Sequence, residues 1–279
     1  MRSTIQYIEN ELAEVYPFPE IRGFTRMILE KVCGLTYTEQ VLHKDQELPE
    51  ADKKSIEAIV LRLKKNEPIQ YIFGETEFRD LKLKVNPSVL IPRPETEELI
   101  DFILEKRISP KAKIIDIGTG SGCIALALKS ALPEAEAYGL DVSEKALETA
   151  AGNAELNNLE VAFLQRDILN WEADVWEQYD VIVSNPPYVR NSEKQMMEKN
   201  VLEFEPTTAL FVSDSDPLLF YRRISEFAQK ILHKKGRLFF EINEYLGNEI
   251  EDLLKQLGFS EIELRKDING RNRMLTCRK

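Results

Sequence analysis

IIDIGTGSGCIAL, residues 114–126, sets an apolar run, three glycines at alternate positions and a second apolar run in direct succession. A strand, a glycine loop and the start of a helix account for that order. Gly118, Gly120 and Gly122 let the backbone turn sharply and come close to a ligand. The helix that follows offers backbone N–H groups able to hold a carboxylate. By itself such a loop also fits a plain structural turn. Asp141, roughly twenty residues later at the end of the next apolar run, weighs against that, because an acid there accepts both hydroxyls of a ribose.

The alternation continues to the end of the chain. KIIDIG (113–118), EAYGLD (136–141), VAFLQRD (161–167), YDVIVSN (179–185), GRLFFEIN (236–243), EIELRKD (261–267) and RMLTCRK (273–279) read as seven strands. Helical patterns separate most of them: GCIALALKSAL (122–132), a run from 143 to 158 with Ser143 as N-cap, one near Leu218 to Leu232, and one from 244 to 259. This predicts an α/β domain over residues 95–279, Rossmann-like, with a mostly parallel sheet covered by helices on both faces. Upstream, residues 1–75 predict a small helical bundle. Ser3 or Thr4 caps a first helix carrying Ile5, Ile8, Leu12 and Val15, and YPFP stops it. Further helices fit Ile21 to Cys33, Glu39 to His43 and Pro49 to Lys65. Residues 76–94 read as a linker: EFRDLKLKVNPSVL alternates as a half-buried hairpin does, and the prolines of IPRPET hold the chain extended.

The glycines run GxGxG, whereas dinucleotide enzymes carry GxGxxG. An adenosine compound that need not set a pyrophosphate on the helix is therefore expected, and S-adenosylmethionine fits. Gly118, Thr119, Gly120, Ser121 and Gly122 would cradle it, Asp141 would meet its ribose, and Asn185 is a further expected cofactor contact. Asp167 would accept from the adenine amino group, with Ile168 or Trp171 over the ring.

SNPPY (184–188) ends the fourth strand of this sheet stiffly. Ligands in open α/β sheets bind beyond the carboxyl ends of the strands, so Asn185 is expected to face the same crevice as the glycine loop. Pro186 and Pro187 fix φ and donate no N–H, which leaves the backbone carbonyls as fixed acceptors. The Asn185 side chain adds an acceptor and a donor, and Tyr188 a flat face. The set suits a planar NH₂ group, an amide or an exocyclic base amine, and catalysis by positioning. The plainer reading is a rigid strand-terminating turn.

Composition narrows the field. The 279 residues carry a net charge of −11, which argues against a broad basic face for nucleic acid. Acidic residues outnumber basic ones in the helical bundle too. Cys33, Cys123 and Cys277 are far apart and form no CxxC pair, so reduced thiols in a cytoplasmic protein are the simplest reading. His43 and His233 are the only histidines, and no metal site or histidine triad is expected. No signal peptide and no membrane-spanning run is apparent.

DIGTGSG, the acid of GLD and SNPPY together resemble the amino-group methyltransferases that use S-adenosylmethionine. Those motifs alone do not separate DNA adenine, rRNA guanine and protein glutamine enzymes. EPIQYIFGETEF with SVLIPRPETEELI, then FEPTTALF, then GRNRMLTCRK resemble the PrmC/HemK family over nearly the whole chain, most weakly in the N-terminal helices. The resemblance implies methylation of the side-chain amide nitrogen, N5, of the glutamine in the Gly-Gly-Gln loop of bacterial class 1 peptide chain release factors. S-adenosyl-L-homocysteine would be the other product. It implies that Asn185, Pro186, Pro187 and Tyr188 hold the glutamine amide, and that the helical domain grips the release factor. Arg93 and Glu205 would shape the substrate mouth, with a salt link or a surface pair as the plainer reading of each. The family often carries an aromatic residue after Asp167, and Ile168 departs from that. The rival is an enzyme acting on a nucleic-acid base or another protein glutamine; a further rival is a non-catalytic adaptor on a relic cofactor fold.

Overall fold

The computed structural model describes residues 1–43 and 45–279, with Met196 described by its backbone alone. The chain forms two units, Met1–Gly74 with Glu198–Phe204, and Glu75–Met197 with Glu205–Lys279.

The first unit is helical, with α1 (Arg2–Leu12), α2 (Phe18–Cys33), α3 (Tyr37–Leu42), α4 (Glu50–Leu63) and α5 (Ile69–Phe73). Ile8, Leu12, Ile28, Ile56, Val60 and Leu63 form its core. The prolines of YPFP start a helix as well as end one. Pro17 is the N-cap of α2 and a proline occupies its first turn, where the missing N–H costs nothing. Helix α1 begins at Arg2, so neither Ser3 nor Thr4 caps it. Thr36 caps α3 in a reciprocal box with Glu39, which satisfies two otherwise unpaired donors.

The second unit opens with a hairpin, β1 (Glu75–Phe78) and β2 (Leu81–Lys84), antiparallel from Glu75↔Lys84 to Phe78↔Leu81. Then follow α6 (Pro94–Glu105), β3 (Lys113–Ile117), α7 (Cys123–Ala131), β4 (Glu136–Asp141), α8 (Glu144–Leu156), β5 (Val161–Gln165) and β6 (Tyr179–Ser184). A second crossover region holds β7 (Val189–Arg190), α9 (Lys199–Phe204), α10 (Thr207–Leu210) and β8 (Phe211–Val212). The segment containing α9 belongs to the first unit. The chain ends with α11 (Leu219–Ile231), β9 (Leu232–Glu241), α12 (Gly247–Gln256), β10 (Ser260–Lys266) and β11 (Asn272–Arg278).

The main sheet has seven strands in the order β10-β11-β9-β6-β3-β4-β5. Five are parallel, and β11 runs antiparallel to both β9 and β10. Alternate residues of β6 serve opposite faces, as the strand period demands. Ile182 packs with Tyr221, Ile224 and Phe227 of α11 and with Ile250 and Leu254 of α12. Val181 and Val183 pack with Leu99 and Phe102 of α6 and with Leu126 of α7. The mostly parallel α/β expectation therefore holds.

Helix α6 departs from the extended reading of IPRPET. The chain is extended only to Arg93, at φ −106 and ψ 150, and Pro94 then opens the helix with Glu95 and Glu97 in its first turn. Proline at the first helical position is already set for helix, and acids there favour the positive end of the helix dipole. Strand β9 starts at Leu232, earlier than GRLFFEIN suggested.

Phe239 of β9 is fully buried and meets the Phe102 ring edge-on at 5.9 Å. Phe239→Ala is expected to destabilise this unit by about 3–5 kcal/mol, through lost burial plus a cavity. Trp171 and Trp176 are the chain's two tryptophans and both lie in this unit, so urea unfolding followed by their fluorescence reads it directly.

Candidate active site

In the strand order, β3 leads on to β4 on one side while β6 leads away towards β9 on the other. The crevice between such strands, beyond their carboxyl ends, is where open α/β sheets take ligands. Ile117 pairs with Ser184 in the β3–β6 ladder. Ser184 is buried, and its hydroxyl donates to the Ile117 carbonyl at 2.6 Å. The next residues are Gly118 and Asn185, so register alone sets the glycine loop beside NPPY.

A cavity occupies this place. Gly118, Thr119, Gly120 and Ser121 line it from one side, Asn185, Pro186 and Pro187 from another, and Asp141 and Asp167 from a third. Arg93, Thr96, Pro206 and Thr208 contribute further wall, and Ile124, Val142, Ile168, Phe220 and Ile224 add apolar surface. Gly122 and Tyr188 are not lining residues. Nor is Trp171, which is buried with its ring packed against Phe227 at 5.7 Å. Of the two candidate ring covers, Ile168 faces the cavity.

The loop's shape follows from its glycines. Gly118, Gly120 and Gly122 have φ of +75, +54 and +83, a region L-residues adopt at a cost. Gly122 has a second constraint, since a Cβ there would come within 3.2 Å of the Ala150 Cβ of α8. Asp141 holds the loop from below: its Oδ2 accepts the Gly120 N–H at 2.9 Å and its Oδ1 the Ser143 N–H at 2.9 Å. Ser143 caps α8 by accepting from the Ala146 N–H at 3.2 Å. Asp167 likewise accepts from the Leu169 N–H at 2.9 Å and from Asn170 Nδ2 at 2.6 Å.

Several residues that hold this site were not singled out by the sequence. Asn153 of α8 is fully buried. Its amide donates to the Ser121 carbonyl at 2.9 Å and the Lys84 carbonyl at 3.0 Å, and its Oδ1 accepts from the Lys84 N–H at 2.6 Å. The hairpin and the glycine loop are thereby tied to one side chain. Glu241 ends β9 and is 1% exposed. Its Oε2 accepts from the Thr96 hydroxyl at 2.7 Å and its Oε1 from the Tyr188 hydroxyl at 3.0 Å. The Tyr188 ring is thus committed to Glu241 by its hydroxyl, and its backbone carbonyl accepts from Asn243 Nδ2 at 3.1 Å. The one sequence signal for Glu241 was an acid closing an otherwise apolar strand, which is unusual inside a protein. Arg93 and Glu205 form an ion pair with each other. The Glu205 side chain is 1% exposed and that of Arg93 34%, so the link is anchored inside and opens at the cavity.

Burial sets the electrostatics. It raises the Glu241 carboxyl above its usual range, against the Thr96 and Tyr188 hydrogen bonds and the Arg273 charge. The Tyr188 phenol is held well above its ordinary value by burial and then by the Glu241 charge, so it stays a hydrogen-bond donor. Burial also pushes Asp116 of β3 up to about 7, opposed by the Thr119 hydroxyl and the Ala125 N–H and reinforced by Asp141. Among the described residues no group of three His, Cys, Asp or Glu side chains is placed to hold a metal ion. No described helix is long and apolar enough to cross a membrane.

The family model "Methyltransferase small domain" matches residues 96–205, and "PrmC N-terminal domain" matches residues 3–74. The crystal structure of a methyltransferase from Pyrococcus furiosus superposes with a TM-score of 0.54 at 20% identity, over 80% of this chain and 97% of that one. That likeness shows a shared fold, the methyltransferase α/β sheet. Two relatives are similar in sequence throughout. The release factor glutamine methyltransferase of Flavobacterium psychrophilum is 48% identical over 268 residues, spanning 95% of this chain and 94% of its own. That of Bacteroides thetaiotaomicron is 42% identical over 278 residues, 99% of each chain. The chain belongs to the release factor glutamine methyltransferase family.

Asp116 makes stability depend on pH. An acid whose value rises from 3.8 to about 7 on folding stabilises the fold fully below the lower value, and that contribution is lost as pH rises through the upper one. Asp116→Asn lacks it. Thermal unfolding should therefore shift in favour of the variant, relative to the parent, between about pH 5 and about pH 8.

Proposed function

We propose that this protein transfers a methyl group from S-adenosylmethionine to the side-chain amide nitrogen of the glutamine in the Gly-Gly-Gln loop of bacterial class 1 release factors. The observation that carries this reading is that the glycine loop, Asp141, Asn185, Pro186 and Pro187 line a single cavity at the sheet's switch point. Membership of a family whose relatives bear that name supports the substrate.

The residues present fit the cofactor. Each Asp141 oxygen accepts one backbone N–H and keeps a lone pair for a ribose hydroxyl. The apolar wall of Ile124, Val142, Ile168, Phe220 and Ile224 suits a purine, and Asp167 supplies an acceptor at its edge. When bound, S-adenosylmethionine supplies an electrophilic methyl on a sulfonium and leaves as S-adenosylhomocysteine.

The chain's own contribution is positioning. The Asn185 side-chain carbonyl and the backbone carbonyl at Pro186 receive the two amide N–H groups, and the prolines hold those acceptors still. The amide nitrogen is thereby oriented for in-line attack, and positioning of this kind supplies up to roughly 7–11 kcal/mol. Fixed dipoles stabilise the positive charge that develops on nitrogen. The proton leaves the alkylated nitrogen afterwards, so no general base is needed before transfer. The helical unit is the proposed docking element for the release factor. It exposes Tyr37, Val41 and Leu42 of α3, the last 73% exposed, and its apolar surface suits a protein partner.

Incubating a purified release factor with this protein and S-adenosylmethionine, then mapping peptides by mass spectrometry, should show one added methyl on the Gly-Gly-Gln glutamine. An unmodified glutamine beside a methylated nucleic-acid base would overturn the reading. Asn185→Ala should keep cofactor affinity and lose turnover by about ten- to hundredfold, the loss expected when a buried amide loses a fixed partner. Near-parental turnover in that variant would refute positioning by Asn185.

A further inference from the structure

We propose that Thr96 and Glu241 are positioning residues for the transfer: they determine which end of the Asn185 amide faces the acceptor. This rests on the functional reading above and deepens it.

An asparagine amide has a donating end and an accepting end of nearly the same shape. Packing alone does not choose between them; a directional hydrogen-bond chain does. Such a chain runs behind NPPY. Asn185 Nδ2 donates to the Thr96 hydroxyl at 3.4 Å, and the Thr96 hydroxyl donates to Glu241 Oε2 at 2.7 Å. Thr96 and Glu241 are 2% and 1% exposed, so water does not compete for either. Thr96 has a single hydroxyl proton, and Glu241, whose two oxygens accept from Thr96 and Tyr188, takes it. With that proton committed to Glu241, Thr96 presents lone pairs to Asn185, and only the Nδ2 end can meet them. Oδ1 is left to face the other way, and among the described residues no donor meets it. It is the acceptor that an incoming amide N–H requires.

Glu241 anchors the chain a second time. Its other oxygen accepts from the Tyr188 hydroxyl at 3.0 Å, so the carboxylate is pinned from both ends of NPPY. One buried acid on β9 thereby orients the first and last polar side chains of a loop that follows β6. Neither Thr96 nor Glu241 needs to touch the reacting nitrogen for this to work; both act through Asn185.

Thr96→Val keeps the shape and removes the hydroxyl, and Thr96→Ser keeps the hydroxyl. Release factor methylation by the full chain should fall about a hundredfold in kcat for Thr96→Val and be largely restored in Thr96→Ser, the scale of a misplaced reacting group. Cofactor affinity by calorimetry and the release factor KM should stay close to the parent's in both, which loss of fold would not allow. Glu241→Gln offers Thr96 either an acceptor or a donor, so both amide orientations become available and kcat should fall less than in Thr96→Val. Parental kcat in Thr96→Val, or a loss that appears in cofactor affinity or KM, overturns the proposal while leaving the functional reading intact. A parent protein that leaves release factor unmethylated overturns both.

Discussion

Parallel pairing of β3 with β6, in the register that sets Ile117 against Ser184, is the constraint on which the site depends. Each strand is followed by a stiff, unusual loop, one rich in glycine and one in proline. Neither loop is a site alone. The pairing ends both at the same height of the sheet, and the reversal of strand order there opens the crevice between them. A slip of one residue would turn the side chains of β6 to the opposite faces. It would expose Ile182 or Val183 to the wrong helices and draw Asn185 out of line with Gly118.

Two acids finish what the pairing begins. Asp141 uses both oxygens to hold the glycine loop and the start of α8. Glu241 uses both of its own to hold Thr96 and Tyr188. A carboxylate as buried as that of Glu241 is costly unless its oxygens find donors, and for both acids the donors are the groups whose placement matters. The arrangement suits chemistry that needs fixed acceptors more than it needs proton transfer.

Much of this was legible in local sequence. The seven strands, the helices between them, the glycine loop and the cap at Ser143 follow from periodicity and from the conformational limits of Gly, Pro and Ser. Helix α6 was not legible, because the two prolines of IPRPET argue for extended chain and helix start alike, and burial of Leu99, Ile100 and Phe102 decides for the helix. The sequence gives no sign that the Tyr188 hydroxyl is engaged by an acid 53 positions away. The partnership of Arg93 with Glu205 across 112 positions has no local signature.

By itself the sequence determined which segments become strands, helices and stiff turns, and it carried the residue types of the proposed adenosine cradle and amide clamp. Those properties reside in backbone torsions and in the spacing of apolar side chains, which are local. The tertiary structure decided that the two motifs meet, that Ile168 rather than Trp171 lines their cavity, and that Thr96 and Glu241 stand behind Asn185, though 145 positions separate those two. Strand order and register bring such groups together, and they are set by the burial of two whole sheet faces at once, a property no short stretch of chain contains.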